Sequence, residues 1–176
     1  MDVKDIPNNK IMSKKNYKKF FVYFISVLFL FLIDRFSKLY ILGIAETLTE
    51  VDIYISSFLN FYLVWNTGIG FGLFPSDHYM IYNSITLLIS IINIIIIIML
   101  VQNQNYKSYF LILILGGSTG NLFDRLYYSA VPDFIDFHIN NFHWFIFNLA
   151  DIYISIGIIC LIIDEIFVKK KEHEEN

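Results

Sequence analysis

Residues 80–101 read MIYNSITLLISIINIIIIIMLV, a stretch without a charged side chain that contains the unbroken run Ile94 to Ile98. Its length suits one helix across a hydrocarbon layer of ~30 Å. It therefore predicts a membrane span, and the rest of the chain supports the same solvent. Apolar residues make up 56% of the 176, aromatic residues 18% and charged residues only 16%, against roughly 25% charged in a typical globular domain. The mean hydropathy of +0.57 agrees. A surface facing water needs more charge than this, so lipid is expected to cover much of it.

Three further stretches complete the frame. An apolar run from Phe20 to Ile33 follows Lys14, Lys15, Lys18 and Lys19. That start resembles a signal peptide, but no small-residue cleavage site follows. Asp34, Arg35, Ser37 and Lys38 interrupt the run, which resumes through Ile44. The predicted spans are about 20–42, 80–101, 109–123 and 147–168. Lysines precede span one (Lys4, Lys10 and the four above), Lys107 lies between spans two and three, and Lys169, Lys170 and Lys171 follow span four. Between Leu39 and Ser76 there is no Lys or Arg, and the stretch after span three has only Arg125. The positive-inside rule then places both termini and the Lys107 turn in the cytoplasm, with segments 43–79 and 124–146 outside. Trp65 and Trp144 both fall in the outer segments, as an interfacial aromatic belt would. The expected fold is an all-α membrane protein of four transmembrane helices with a small extracytoplasmic β-sheet or loop region, and residues 1–176 form one membrane-embedded domain.

The sheet is expected in the first outer segment. Val51, Ile53 and Ile55 alternate with Asp52, Tyr54 and Ser56, and Leu59, Phe61, Leu63 and Trp65 with Asn60, Tyr62, Val64 and Asn66. Period-two alternation of β-branched and aromatic residues argues for strands. The charged tail 169–176 is expected to be disordered. Cys160 is the single cysteine and lies in an apolar run, so neither a disulfide framework nor a cysteine metal cluster is expected.

An ionisable side chain within a span costs at least ~2.5–3.5 kcal/mol at the bilayer centre, so such residues are the leads to function. Asp34 and Lys38 are four apart and share a helix face. They form either an ion pair near the outer interface, with Lys38 snorkelling, or support for a site. At the outer end of span three Gly117, Asn121 and Asp124 recur at helical spacing with Arg125 beside them, and the glycines admit a close neighbour, helix or extended peptide. Val131-Pro132-Asp133-Phe134-Ile135-Asp136 sets two carboxylates in an apolar outer segment, where desolvation raises a carboxyl pKa. Finally, Asn148 can cap span four, with Asp151 in its first turn; alternatively Asp151 faces the bundle interior beside Asn148 and Ser155. Asp164 and Glu165 read as solvated charges at the cytoplasmic end.

Asp133 and Asp151 fall on the outer side at similar depth. Two neighbouring carboxylates do not both ionise easily, and a pair sharing one proton can activate water with one member and protonate the leaving amine with the other. No His-Glu-x-x-His run and no Cys-His metal spacing competes, and His138 and His143 lie in the outer loop without a paired nucleophile. A proton-coupled transporter using Asn83 and Asn93, or a peptidase with both aspartates mid-span, are the alternatives. The polar residues gather at one face, and Asp133 is shallow, which disfavours both.

Five blocks in order resemble the lipoprotein signal peptidase (signal peptidase II) family: Asp34 with Lys38; Asn66-Thr67-Gly68 then Phe71-Gly72; Gly116 through Arg125; Val131-Pro132-Asp133-Phe134; and Phe147-Asn148-Leu149-Ala150-Asp151. The resemblance covers roughly Phe20 to Val168. It departs at Ile69 and Gly70, where small alanine-like residues are usual, and in lacking a proline before Phe147. It implies that Asp133 and Asp151 are the catalytic dyad. It further implies that Asn66, Gly117, Asn121, Arg125, Asn148 and Ala150 hold the substrate or the dyad, with Asp34, Lys38, Asp124 and Asp136 in support. The implied substrate is a prolipoprotein carrying a diacylglyceryl cysteine, cut just before that cysteine at the outer face of the bacterial inner membrane. Membrane lipid is an implied partner; no cofactor, metal or nucleic acid is.

Overall fold

The computed structural model describes residues 14–48, 50–68, 79–102, 105–140 and 142–174. Among these the chain forms four helices and a four-stranded antiparallel sheet. Helix α1 spans Lys14–Ala45, strands β1 Asp52–Ser56 and β2 Leu59–Asn66 follow, then α2 Tyr79–Gln102, α3 Lys107–Tyr128, β3 Val131–Ile139, β4 Phe142–Phe147 and α4 Leu149–Glu174. The sheet order is β1-β2-β3-β4. Phe71, Gly72, Ile69 and Gly70, the lysines at 4 and 10, and the last two residues of the tail lie outside the described residues.

Helix α3 is the hub, packed against α1, α2 and α4. Small residues make this possible. A Cβ on Gly117 would stand 2.3 Å from the carbonyl oxygen of Ala150 in α4, and one on Gly116 would stand 2.7 Å from Leu30 in α1. Hydrogen at these positions lets three helix backbones converge, as helix packing in lipid requires. Below the glycines, Leu111, Ile112, Ile114 and Leu115 of α3 form a buried core with Ile96 and Leu100 of α2. The outward faces stay apolar: Phe24, Phe29, Ile94 and Ile162 are all well exposed, which suits hydrocarbon rather than water. Tyr17–Ala45 and Tyr79–Gln102 are long and apolar enough to cross a membrane.

Strands β1 and β2 occupy the stretches whose alternation predicted them. A second cluster of Ile41, Val51 and Phe134, joined by Ile53 and Phe61, seats the sheet on the end of α1. Four boundaries differ from the sequence reading. Helix α4 runs on to Glu174, so most of the tail 169–176, expected to be disordered, is helical. The 124–146 segment, read as loop, forms strands β3 and β4. The first four residues of β3 are all buried, so no alternation marks the strand, and Pro132 argues against one. Helix α3 runs five residues beyond Phe123, to Tyr128, and ends on Ser129 in the left-handed region at φ 60°. Apolarity ends at Phe123, but Asp124 and Arg125 continue the helix and are buried. Phe147 ends β4, so α4 begins at Leu149, after Asn148.

Candidate active site

The start of α4 is built by a reciprocal cap. The Asn148 backbone N–H donates to Asp151 Oδ2 at 3.2 Å, and the Asp151 N–H donates to Asn148 Oδ1 at 3.2 Å. This is the logic of a capping box, with aspartate in the glutamate position. Both readings of Asp151 hold together: it sits in the first turn, and it is buried at 3% exposure facing the bundle.

The cap residue also reaches across to the sheet. Asn148 Nδ2 donates to Asp133 Oδ1 at 2.6 Å, and Asn66 Nδ2, at the end of β2, donates to Asp133 Oδ2 at 2.8 Å. Asn121 Nδ2 of α3 donates to Asp151 Oδ1 at 2.8 Å. Three asparagines from three elements thus hold two buried carboxylates, and Asn148 touches both. Asp133 lies on β3 at 2% exposure. Burial, and then the negative charge of Asp151, push its carboxyl up from 3.8 to about 7.

Behind the asparagines lies a compact ion cluster. Lys38 Nζ stands 2.8 Å from Asp34 Oδ2 and 2.7 Å from Asp124 Oδ2, and donates to Asn121 Oδ1 at 2.9 Å. Arg35 Nη1 pairs with Asp124 Oδ1, its guanidinium 5.2 Å above the Phe123 ring. Asp34 Oδ1 accepts the Ala150 N–H at 3.0 Å. Lys38 is 0% exposed, so it does not snorkel. It is spent on three buried partners because the α3 glycines bring α1 close: a Cβ on Gly120 would stand 2.5 Å from Asp34 Oδ2. The sequence reading noted Arg35 only as an interruption of the first run. It is the counter-ion of Asp124, and nothing in the spacing of the two residues signals that.

The carboxylates line a cavity of about 390 Å³. Asn66, Asn121 and Arg125 line it with them, and five isoleucines of α2, α3 and α4 with Ser118 and Ser155 make up most of the other walls. Arg125 is buried at 3% exposure, with its guanidinium 5.3 Å above the Tyr82 ring and its Nη1 without a hydrogen-bond partner among the described residues. Asp136 departs from the expected set. It turns to His143, whose Nδ1 is 2.8 Å from Asp136 Oδ2, and has no part in the asparagine network. At the far end of the bundle Asp164 pairs with Lys107 at 2.8 Å and accepts from Tyr106, tying α4 to the α2–α3 turn.

Among solved structures, a bacterial membrane enzyme determined in meso at 2.3 Å resolution superposes with a TM-score of 0.66 and 28% identity, covering 85% of this chain and 90% of the other. A second, at 1.9 Å resolution, gives 0.60 and 29%, covering 81% and 91%. The fold is thus that of a bacterial membrane enzyme. The lipoprotein signal peptidase of Pelagibacter ubique (strain HTCC1062) is 54% identical over 166 residues, 94% of this chain and 100% of that protein. That of Francisella tularensis subsp. novicida (strain U112) is 36% identical over 155 residues, 85% and 94%. The family model for signal peptidase (SPase) II matches residues 26–167. The chain belongs to the signal peptidase II family, and it is a protease.

Proposed function

We propose that Asp133 and Asp151 share one proton and hydrolyse a peptide bond between them. The observation that carries this reading is the bridge through Asn148, which holds two buried carboxylates in the lining of one largely apolar cavity. The ionised member takes a proton from water as that water attacks the scissile carbonyl carbon. The protonated member hydrogen-bonds the carbonyl oxygen, and a proton then passes to the leaving amine as the C–N bond breaks. No metal enters these steps. Asn66, Asn121 and Asn148 orient the pair, and Arg125 faces the same cavity, where its Nη1 suits a substrate carbonyl. Asp34, Lys38, Asp124 and Arg35 combine two negative and two positive charges. That balance lets the cluster fix Asn121 and the Ala150 N–H without driving both members of the pair to ionise. Gly117 lets α4 approach, so Ala150 and Asp151 reach the site.

The substrate is a prolipoprotein whose cysteine carries a diacylglyceryl group, cleaved just before that cysteine. The isoleucine walls suit an apolar signal segment. In this reading residues 1–176 are one peptidase domain with four spans and both termini in the cytoplasm. The pair then lies at the outer face of the bacterial inner membrane, with surrounding lipid as a partner. The lysine distribution supports that orientation, and the apolar outward faces support the spans. The test is cleavage of a diacylated precursor, beside its unlipidated form, by the full chain in proteoliposomes. We expect cleavage of the lipidated form, falling by at least about 10²–10⁴-fold in Asp133→Asn and in Asp151→Asn while both variants still insert. Near-normal cleavage by both variants overturns the dyad.

A further inference from the structure

The β3–β4 hairpin carries a second cluster. Asp136 and His138 are two apart on β3, and His143 on β4 is the register partner of His138. The two imidazoles stack with centroids 5.1 Å apart and planes at 28°. Asp136 Oδ2 stands 2.8 Å from His143 Nδ1 and 3.6 Å from His138 Nδ1. One donor atom from each of the three residues lies within 4.8 Å of the others. On β2, Asn60 is the register partner of Asp136, so its side chain rises from the same face of the sheet.

These side chains are poorly satisfied. Asp136 and His138 are 2% and 9% exposed, and among the described residues Asp136 Oδ1, His138 Nδ1 and Asn60 Oδ1 are buried without a hydrogen-bond partner. A buried polar atom left without a partner destabilises the fold. A carboxylate oxygen, an amide oxygen and an imidazole nitrogen, which carries a lone pair in the tautomer protonated at Nε2, are gathered on neighbouring strands. A cation removes that deficit at one stroke.

We propose that Asp136, His138 and His143, with Asn60 beside them, bind one divalent transition ion of the zinc class on the β3–β4 hairpin. Two imidazoles with a carboxylate suit zinc and its neighbours, whereas calcium and magnesium take shells of oxygen. Bonds of about 2.0–2.2 Å set tetrahedral ligand atoms roughly 3.3–3.5 Å apart. The contacts of 2.8 and 3.6 Å bracket that spacing, and rotation of the exposed His143 side chain adjusts the remainder. That exposure, 57% of the side chain, also gives the ion a way in. The ion binds the last two strands to each other, three residues along β3 from Asp133. The sequence reading expects no metal partner, and no Cys-His spacing marks one. This site is structural, stands apart from the Asp133–Asp151 pair and does not depend on their role.

The full chain without a polyhistidine tag, in detergent micelles and stripped with EDTA, is titrated with Zn²⁺ by calorimetry, and its metal content is measured after desalting. One zinc per chain is expected, with affinity falling by at least about tenfold in His143→Ala and in Asp136→Asn. The double variant His78→Ala/His173→Ala, which removes the other histidines of the sequence, should bind as the parent does. His143→Ala alters an exposed side chain, so it decides the matter even where Asp136→Asn fails to fold. No zinc retained by the parent, or equal affinity in the parent and His143→Ala, overturns the site.

Discussion

Replacing Asp133 by asparagine should change how the stability of the protein depends on pH. In the folded chain its carboxyl is held at about 7, against 3.8 for the ordinary group, first by burial and then by the charge of Asp151. Between those values the folded chain keeps a proton that the unfolded chain has released, so a rise in pH weakens folding. The interval from 3.8 to about 7 corresponds to about 4 kcal/mol at most, since each pH unit carries about 1.36 kcal/mol. The loss starts near the unfolded value and is complete above the folded one. Asp133→Asn removes the titration. It also gives up one of the two acceptor oxygens that serve Asn66 and Asn148, but that offset does not vary with pH. The stability of the variant relative to the parent should therefore climb with pH from about 4 to about 7 and then level off. For a chain of this size each kcal/mol moves the melting temperature by roughly 2–4 °C. The full swing is then roughly 8–16 °C, read by tryptophan fluorescence melts in detergent micelles. A difference that stays flat across this range, or that shrinks with rising pH, refutes the claim that Asp133 retains a proton near neutrality.

Proteolysis should follow the same proton: kcat/KM for a diacylated precursor should decline as pH rises through about 7, because the pair loses its acid member, and a profile level to about pH 9 would contradict this. Lys38→Met should lower stability by about 3–5 kcal/mol, because it leaves Asp34 and Asp124 buried without their shared cation; denaturant melts measure it. Asn148→Ala removes the cap of α4 and one anchor of Asp133 together, so a loss of about 1–3 kcal/mol should accompany a drop in cleavage. Gly117→Leu drives a side chain into the Ala150 carbonyl and should cost at least about 1–3 kcal/mol, with cleavage lost as α3 and α4 separate.

The four helices were legible because each contains a long apolar run, most plainly α2, although α3 continues well past its run through Gly116 to Tyr128. Strands β1 and β2 were legible because apolar and polar residues alternate along them, although burial itself is nearly even along β2. Strand β3 was not, since Val131 to Phe134 is buried on both faces and Pro132 disguises it. Asn121 and Asn148 stand out as polar residues at the ends of spans three and four and Asn66 only through the family block, whereas the pairing of Arg35 and the full burial of Lys38 leave no mark in the sequence. A charge in an apolar run looks the same whether it reaches water or a partner elsewhere in sequence, and Asp124 is 89 residues from Arg35. The Asp136–His138–His143 group was hidden for the same reason: the ligands meet across a hairpin register that a scan for helical or Cys-His spacing does not test.

The choice of asparagine around the two aspartates has a physical logic. A lysine or arginine bonded directly to either carboxylate would favour the fully ionised pair, and a doubly ionised pair has no acid to give the leaving amine. Amide N–H groups satisfy the buried oxygens without a full charge. An amide can, however, turn over and present its oxygen instead. At Asn121 this is prevented from behind, because Lys38 donates to its Oδ1 and lacks any acceptor of its own. The NH₂ end must then face Asp151. At Asn148 the same work falls to the helix start, where the Asp151 N–H holds Oδ1 and turns Nδ2 toward Asp133. Cationic charge is thus kept one residue away from Asp151, close enough to set the direction of a donor and separated from the carboxylate by a neutral amide.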